Sequence, residues 1–121
     1  IIEKKIVEDK SDFYFILFNG EKVGAVRVKW YKGGKVYENV NWIAPIFIIP
    51  HFQNKGIASN VIKQLFNIYP NTIEWRLDTI KQEERNCYLY EKCGFVRTGD
   101  EKVINENMTL INYVKNCIKV R

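Results

Sequence analysis

The 121-residue sequence predicts a single α/β domain with a mixed, largely antiparallel central sheet and helices on its faces. Three observations carry this reading. Alternating apolar residues flank Asn19-Gly20, a two-residue turn whose members both tolerate positive φ. The apolar run Ile46-Phe47-Ile48-Ile49 ends at Pro50, and helical spacing follows a short polar loop. Strand and helix patterns then recur once each and two final strands follow, giving the order β-hairpin, β, α, β, α, β, β, which belongs to mixed α/β architectures.

Residues 1–11 form a poorly defined lead-in, a weak strand or irregular segment, with Ile6 and Val7 among charges. Phe13, Phe15 and Leu17 alternate with Tyr14, Ile16 and Phe18, so this strand is apolar on both faces. After Asn19-Gly20 the chain returns through Val26, Val28 and Trp30, alternating with Arg27 and Lys29. Lys32-Gly33-Gly34-Lys35 is a second turn. A third strand is expected over residues 36–49, and Pro45 within it predicts a bulge or a break, because proline has no ladder N–H.

Ile57, Val61, Leu65 and Ile68 share a line with Ala58, Ile62, Phe66 and Tyr69 beside it, which predicts an amphipathic helix ending before Pro70. Trp75, Leu77 and Thr79 continue the alternation begun at Ile73 and mark a half-buried strand. A short helix is expected to run through Cys93, with Gly94 at its C-terminal cap. The last strands are placed at 95–97 and 108–114, joined by a polar loop over 98–107.

Composition narrows the function classes. Hydrophobic residues make up 46% and charged residues 27%, as in ordinary globular domains. No apolar run approaches the roughly 20 residues that span a bilayer. The net charge of +5 attracts polyanions, but Glu and Asp are interspersed and no Lys/Arg stripe tracks a phosphate backbone. Trp30, Tyr31 and Trp42 could serve as stacking platforms in a nucleic-acid binder, yet aromatics are more often core. Cys87, Cys93 and Cys117 have no metal spacing, and an odd count fits free thiols in a reducing cytoplasm. Cys87 and Cys93 read as core residues on a helix.

The segment 46–68 is a strand, a tight loop and a helix N-terminus. Unpaired N–H groups and the helix dipole favour an anion there. Gly56 permits close approach to the backbone, and Lys55 adds charge. The same features occur in loops that bind nothing.

The spacing Gln53-x-x-Gly56-x-Ala58 resembles the acetyl-CoA signature Q/R-x-x-G-x-G/A of the GNAT superfamily of N-acetyltransferases. Asn86-Cys87-Tyr88-Leu89-Tyr90-Glu91-Lys92-Cys93-Gly94-Phe95 resembles the family's later N-x-x-x-Y-E-K-x-G-F helix. The two motifs stand in the family's order, with one strand between them, and the resemblance covers about residues 12–113.

The resemblance implies a GNAT fold lacking the family's usual first strand and the two helices after it. It implies transfer of the acetyl group of acetyl-CoA to a primary amine by direct attack in a ternary complex, with no metal. Gln53, Asn54, Lys55, Gly56, Ile57, Ala58 and Ser59 would form the pyrophosphate loop. The backbone of Ile46, Phe47 and Ile48, next to the bulge, would pair with the pantetheine arm and polarise the acetyl carbonyl. Tyr90 would be the general acid at the sulfur, and Asn86, four residues earlier on one helix face, would bind the cofactor. No general base is identified: Glu38 is displaced from the place of the family's carboxylate, nearer which Trp42 stands, His51 reads better as a satisfied loop histidine, and a water relay to bulk is the other opening. The acceptor would be a small-molecule or peptide amine, with neither membrane nor nucleic acid as partner. The missing helices leave room for two further expectations: an inactive acyl-CoA-binding module, or a homodimer that completes the acceptor cleft.

Overall fold

The computed structural model describes residues 2–8 and 10–117. β1 (Ile2–Glu8), β2 (Ser11–Phe18) and β3 (Glu21–Lys29) run up and down, followed by the two-residue strands β4 (Tyr31–Lys32) and β5 (Lys35–Val36). β6 (Val40–Ile48) leads through a 3-10 turn, Pro50–Phe52, into α1 (Ile57–Ile68). β7 (Glu74–Ile80), α2 (Glu84–Lys92), β8 (Val96–Asn105) and β9 (Met108–Asn116) complete the order. The main sheet has seven strands in the order β1-β2-β3-β6-β7-β9-β8, and only β6–β7 is parallel. This is the mixed, largely antiparallel sheet with two helices that the sequence predicts.

The structure corrects the expectation of a missing first strand. Ile2–Glu8 pairs antiparallel with β2, and no helix stands between them. The fold therefore keeps a first strand without the two following helices. The remaining lead-in positions, 1 and 9, lie outside the described residues. β1 covers the edge of β2, whose Tyr14 and Ile16 enter the core. On its other face Phe13 and Phe15 are half-buried against each other, and Lys22 Nζ lies 4.6 Å from the Phe15 ring centre.

Two further boundaries differ. The expected third strand over 36–49 is divided: Lys35–Val36 pairs with Tyr31–Lys32 as a separate ribbon, and the sheet strand begins only at Val40. The polar segment 98–107 is mostly strand. β8 continues to Asn105 and pairs along β9, with a bulge between Arg97 and Glu101. All ten β8 residues are exposed, so its polarity reports an edge that buries nothing.

The hairpin turn forms as its residues dictate, with φ of 51° at Asn19 and 83° at Gly20. α1 spans the predicted residues and buries Val61, Ile62 and Leu65 completely. Each such burial is worth about 1.5–3 kcal/mol. These side chains join Val26, Val28, Trp75, Leu77, Phe95 and Tyr113 in one core. At the end of α1 the Tyr69 hydroxyl donates to Asp12 Oδ2 at 2.6 Å and pairs with the Tyr14 hydroxyl at 2.7 Å. Burial and the Asp12 hydrogen bond push the Tyr69 phenol far above its ordinary pKa. Among the described residues no helix is long and apolar enough to cross a membrane.

Two features open the sheet at its centre. Arg27 faces both Ala44 and Pro45, because the β3–β6 register slips between Val26/Ile46 and Val28/Ile43. This is the bulge that Pro45 predicts, and the Arg27 Nε fixes it by donating to the Ala44 carbonyl at 2.7 Å. The β6–β7 ladder holds only Val40–Glu74, Asn41–Trp75 and Trp42–Arg76. Beyond Trp42 the two strands part, leaving β6 without that neighbour over 43–48.

Candidate active site

Two clefts open at this parting. The first, about 400 Å³, lies between the end of β6, the loop before α1 and one side of α2. The second, about 460 Å³, lies between the β6 bulge and the end of β7. Ile46, Asn86 and Tyr90 line both, so the clefts meet at these three residues.

The loop is shaped by its backbone. Asn54 and Gly56 have φ of 64° and 76°, and Gly56 is the N-cap of α1. The first intrahelical bond runs from the Asn60 N–H to the Gly56 carbonyl at 3.1 Å. The N–H groups of Ile57, Ala58 and Ser59 precede this ladder, and all three residues border the first cleft. A Cβ built on Gly56 meets nothing within 4 Å. Backbone strain rather than crowding therefore calls for glycine in the free chain. Gln53 Nε2 donates to the Ile48 carbonyl at 2.9 Å, tying the loop to the strand it leaves.

Tyr90 is held by the C-terminus of α2. The Phe95 N–H donates to the Tyr90 carbonyl at 3.0 Å and the Gly94 N–H to the Glu91 carbonyl at 3.1 Å. Gly94 has φ of 97°, which completes the glycine cap that the sequence predicts. Phe95 is buried, with its ring centre 6.2 Å from that of Tyr90. Glu91 faces away from the clefts and accepts from the Tyr113 hydroxyl at 2.6 Å, pinning α2 to β9. Tyr90 itself is only 7% exposed. Among the described residues its hydroxyl has no hydrogen-bond partner, yet no buried side-chain oxygen is left unsatisfied, so the hydroxyl opens to the clefts. Burial, reinforced by Cys87 and Cys93, pushes its pKa up to about 12. The phenol keeps its proton throughout the neutral range.

Most of the expected cofactor residues converge. Ile46, Ile48, Gln53, Asn54 and Gly56 border the first cleft, as do Ile57, Ala58, Ser59 and Asn86. Lys55 and Phe47 do not: Lys55 is exposed on the loop, and the Phe47 side chain is 54% exposed outside both clefts. Ile57 and Ser59 are buried, the first within the hydrophobic core and the second beside the Cys93 thiol. Cys87 and Cys93 are buried free thiols, as expected for core residues. The openings for a base do not converge. Glu38 is exposed on the segment before β6, beside neither cleft, and His51 stacks edge-on against Phe52 in the 3-10 turn. Trp42 borders the second cleft but is buried, which removes it as a stacking platform.

Sequence reasoning missed other lining residues. Arg85, Leu89 and Lys92 border the first cleft, and their spacing of four and three marks one helix face. Arg27, Lys29, Asp78 and Glu83 border the second. They come from β3, β7 and the start of α2, and no linear motif joins them. Asp78 accepts from Lys32 Nζ at 3.0 Å and from the Asn112 side-chain amide.

A loop at a helix N-terminus, a parted sheet and a tyrosine at the junction of two clefts thus lie together at one end of β6. The model of the acetyltransferase (GNAT) family matches residues 2–95, and the chain belongs to that family. No curated protein matches the chain by sequence. Among solved structures it resembles a Bacillus anthracis str. Ames protein, provisionally described as a streptothricin acetyltransferase, in complex with acetyl coenzyme A. That match has a TM-score of 0.77 at 21% identity over 92% of this chain. The chain spans 65% of that protein's length. A GNAT family acetyltransferase from Elizabethkingia anophelis with acetyl-CoA bound matches at TM-score 0.70, with 19% identity over 88% of this chain and 76% of that one. A spermidine N-acetyltransferase chimera from Vibrio cholerae and hSSAT matches at TM-score 0.73, with 20% identity over 90% of this chain and 71% of that one. These likenesses show the fold.

Proposed function

We propose that the chain transfers an acetyl group from acetyl-CoA to a primary amine by direct attack in a ternary complex. One observation carries this reading: the two clefts meet at Ile46, Asn86 and Tyr90. The first cleft would take the CoA side and the second the amine, so both reactants would reach one tyrosine hydroxyl. The matched structures solved with acetyl-CoA add support.

Acetyl-CoA supplies an activated thioester; the chain's residues do the rest. The N–H groups of Ile57, Ala58 and Ser59 would receive the pyrophosphate, with Arg85 and Lys92 at the rim adding charge. The β6 backbone over 46–48 would hold the pantetheine arm and provide N–H donors for charge developing on the acetyl oxygen. Such a donor is worth roughly 3 kcal/mol in other enzymes. The amine nitrogen bonds to the acetyl carbon, the carbon–sulfur bond breaks, and the proton the amine loses passes to solvent water, from which Tyr90 would regain the one it gives to sulfur. Tyr90 would present its proton to the departing sulfur, and Asn86 would hold the cofactor beside it.

Calorimetry with acetyl-CoA on wild type and Gly56→Glu, followed by thiol release with a panel of amines, tests this. Tight binding lost in the variant and amine-dependent thiol release are expected. Equal binding by both proteins overturns the loop assignment. Binding with no amine-dependent release leaves instead an acyl-CoA-binding module, a reading that the absence of helices between β1 and β2 favours.

A further inference from the structure

The second cleft carries a charge pattern that acetyl transfer does not itself require. Arg27 and Lys29 lie two residues apart on β3, hence on the same side of the sheet, and both border the cleft. Lys32 joins them from β4. Two carboxylates face these cations, Asp78 on β7 and Glu83 at the start of α2. Asp78 is already engaged by Lys32 and Asn112. Arg27 uses its Nε on the Ala44 carbonyl, which fixes the guanidinium and leaves its four Nη hydrogens for another acceptor. Among the described residues neither Arg27 nor Lys29 forms an ion pair with a carboxylate. Lys29 Nζ instead lies 5.1 Å from the Tyr31 ring centre. Burial, then Arg27 and Lys32, hold Lys29 below the ordinary lysine pKa, with Asp78 opposing them.

Building on the acetyl-transfer reading, we propose that the acceptor is an amine that also carries a carboxylate or phosphate, held by Arg27 and Lys29 with its amine toward Tyr90. A guanidinium fixed at one nitrogen presents the fork that matches either oxyanion. Glu83, the residue that caps α2, borders the same cleft as Asn86 and Tyr90 within the helix, so the remaining carboxylate lies on the side where the ammonium would arrive. A polyamine would set positive charge against Arg27, Lys29 and Lys32.

The test is thiol release by the full chain with two matched pairs: γ-aminobutyrate against putrescine, and phosphoethanolamine against ethanolamine. The anionic member of one pair should show kcat/KM higher by about tenfold or more, equivalent to about 1.4 kcal/mol. Which pair responds separates carboxylate from phosphate. Arg27→Gln and Lys29→Gln should each raise KM for that acceptor and leave KM for acetyl-CoA unchanged; the Lys29 variant serves alone if the Arg27 variant does not fold. Equal or better use of putrescine and ethanolamine overturns the inference, as does an equal loss with every acceptor. If no amine is acetylated, the transfer reading fails and binding decides this one. Phosphoethanolamine or γ-aminobutyrate should then raise the Tm of wild type and not of Lys29→Gln. The same shift in both proteins, or a shift in neither, overturns it.

Discussion

The side-chain amide of Gln53 donates to the main-chain carbonyl of Ile48 at 2.9 Å, clipping the loop before α1 to the end of β6. The bond is exposed, so it adds little to global stability. Its effect is on the angle at which the loop N–H groups meet the cleft. Gln53→Ala should weaken acetyl-CoA binding roughly tenfold, about 1.4 kcal/mol, with Tm nearly unchanged. Calorimetry and a thermal melt check both halves, and an unaltered Kd would show that the clip has no bearing on the loop.

Tyr90→Phe keeps the ring packed on Phe95 and removes the hydroxyl. Turnover should fall roughly a hundredfold or more, while the Kd for acetyl-CoA stays within a few-fold. The sign of the pH dependence follows from the raised pKa. The protonated phenol is present below about 12 and is lost only as pH climbs through that value. The ratio between wild type and variant should therefore stay constant across the neutral and mildly alkaline range. A ratio that collapses there assigns the acid to another group.

Gly24 sits where β3 passes β6 beside the parted segment. A Cβ built there overlaps the Phe47 carbonyl oxygen and crowds Ile48 Cα at 3.1 Å. The obstruction is backbone and cannot rotate away. Gly24→Ala should cost about 1–3 kcal/mol of stability in urea denaturation. It should also weaken acetyl-CoA binding, because the backbone it displaces lies between Ile46 and Ile48, which border the first cleft. Unchanged stability would mean that the strands separate freely there.

Tyr69→Phe removes a donor from Asp12, which is only 6% exposed. Loss of a hydrogen bond to a buried carboxylate costs about 1.5–3 kcal/mol. This site lies at the far end of α1 from the loop, so acetyl-CoA affinity at a permissive temperature should not move. A drop in affinity would reveal that α1 transmits the change along its length.

What could be read in the sequence followed from periodicity and punctuation. α1 was legible because one apolar line runs from Ile57 to Ile68 and Pro70 forbids its continuation. The loop was legible because Pro50 ends the strand and helical spacing starts at Ile57, with a polar stretch and one glycine between them. Residues 98–107 were not, because polarity marks exposure, and an edge strand with every residue exposed looks like a loop. β1 was hidden for a related reason: its place is fixed by backbone pairing with β2, which a charge-rich stretch does not advertise. The second cleft was least legible. Arg27 and Lys29 look like the solvated face of a strand until the bulge at Ala44 and the parting of β7 turn that face into a wall.

The early end of the β6–β7 ladder has a consequence for solubility. A sheet margin exposed on the outside invites another chain to dock and propagate, and proteins blunt such margins with charge or brevity. Beyond Trp42 the margin of β6 lies inside the sheet, between β3 and β7. A strand approaching it meets the paired stretch from Val40–Glu74 to Trp42–Arg76, so the margin offers no continuous outer edge along which to propagate. That stretch of β6 is an interior margin, screened from edge-to-edge pairing by the strands on either side.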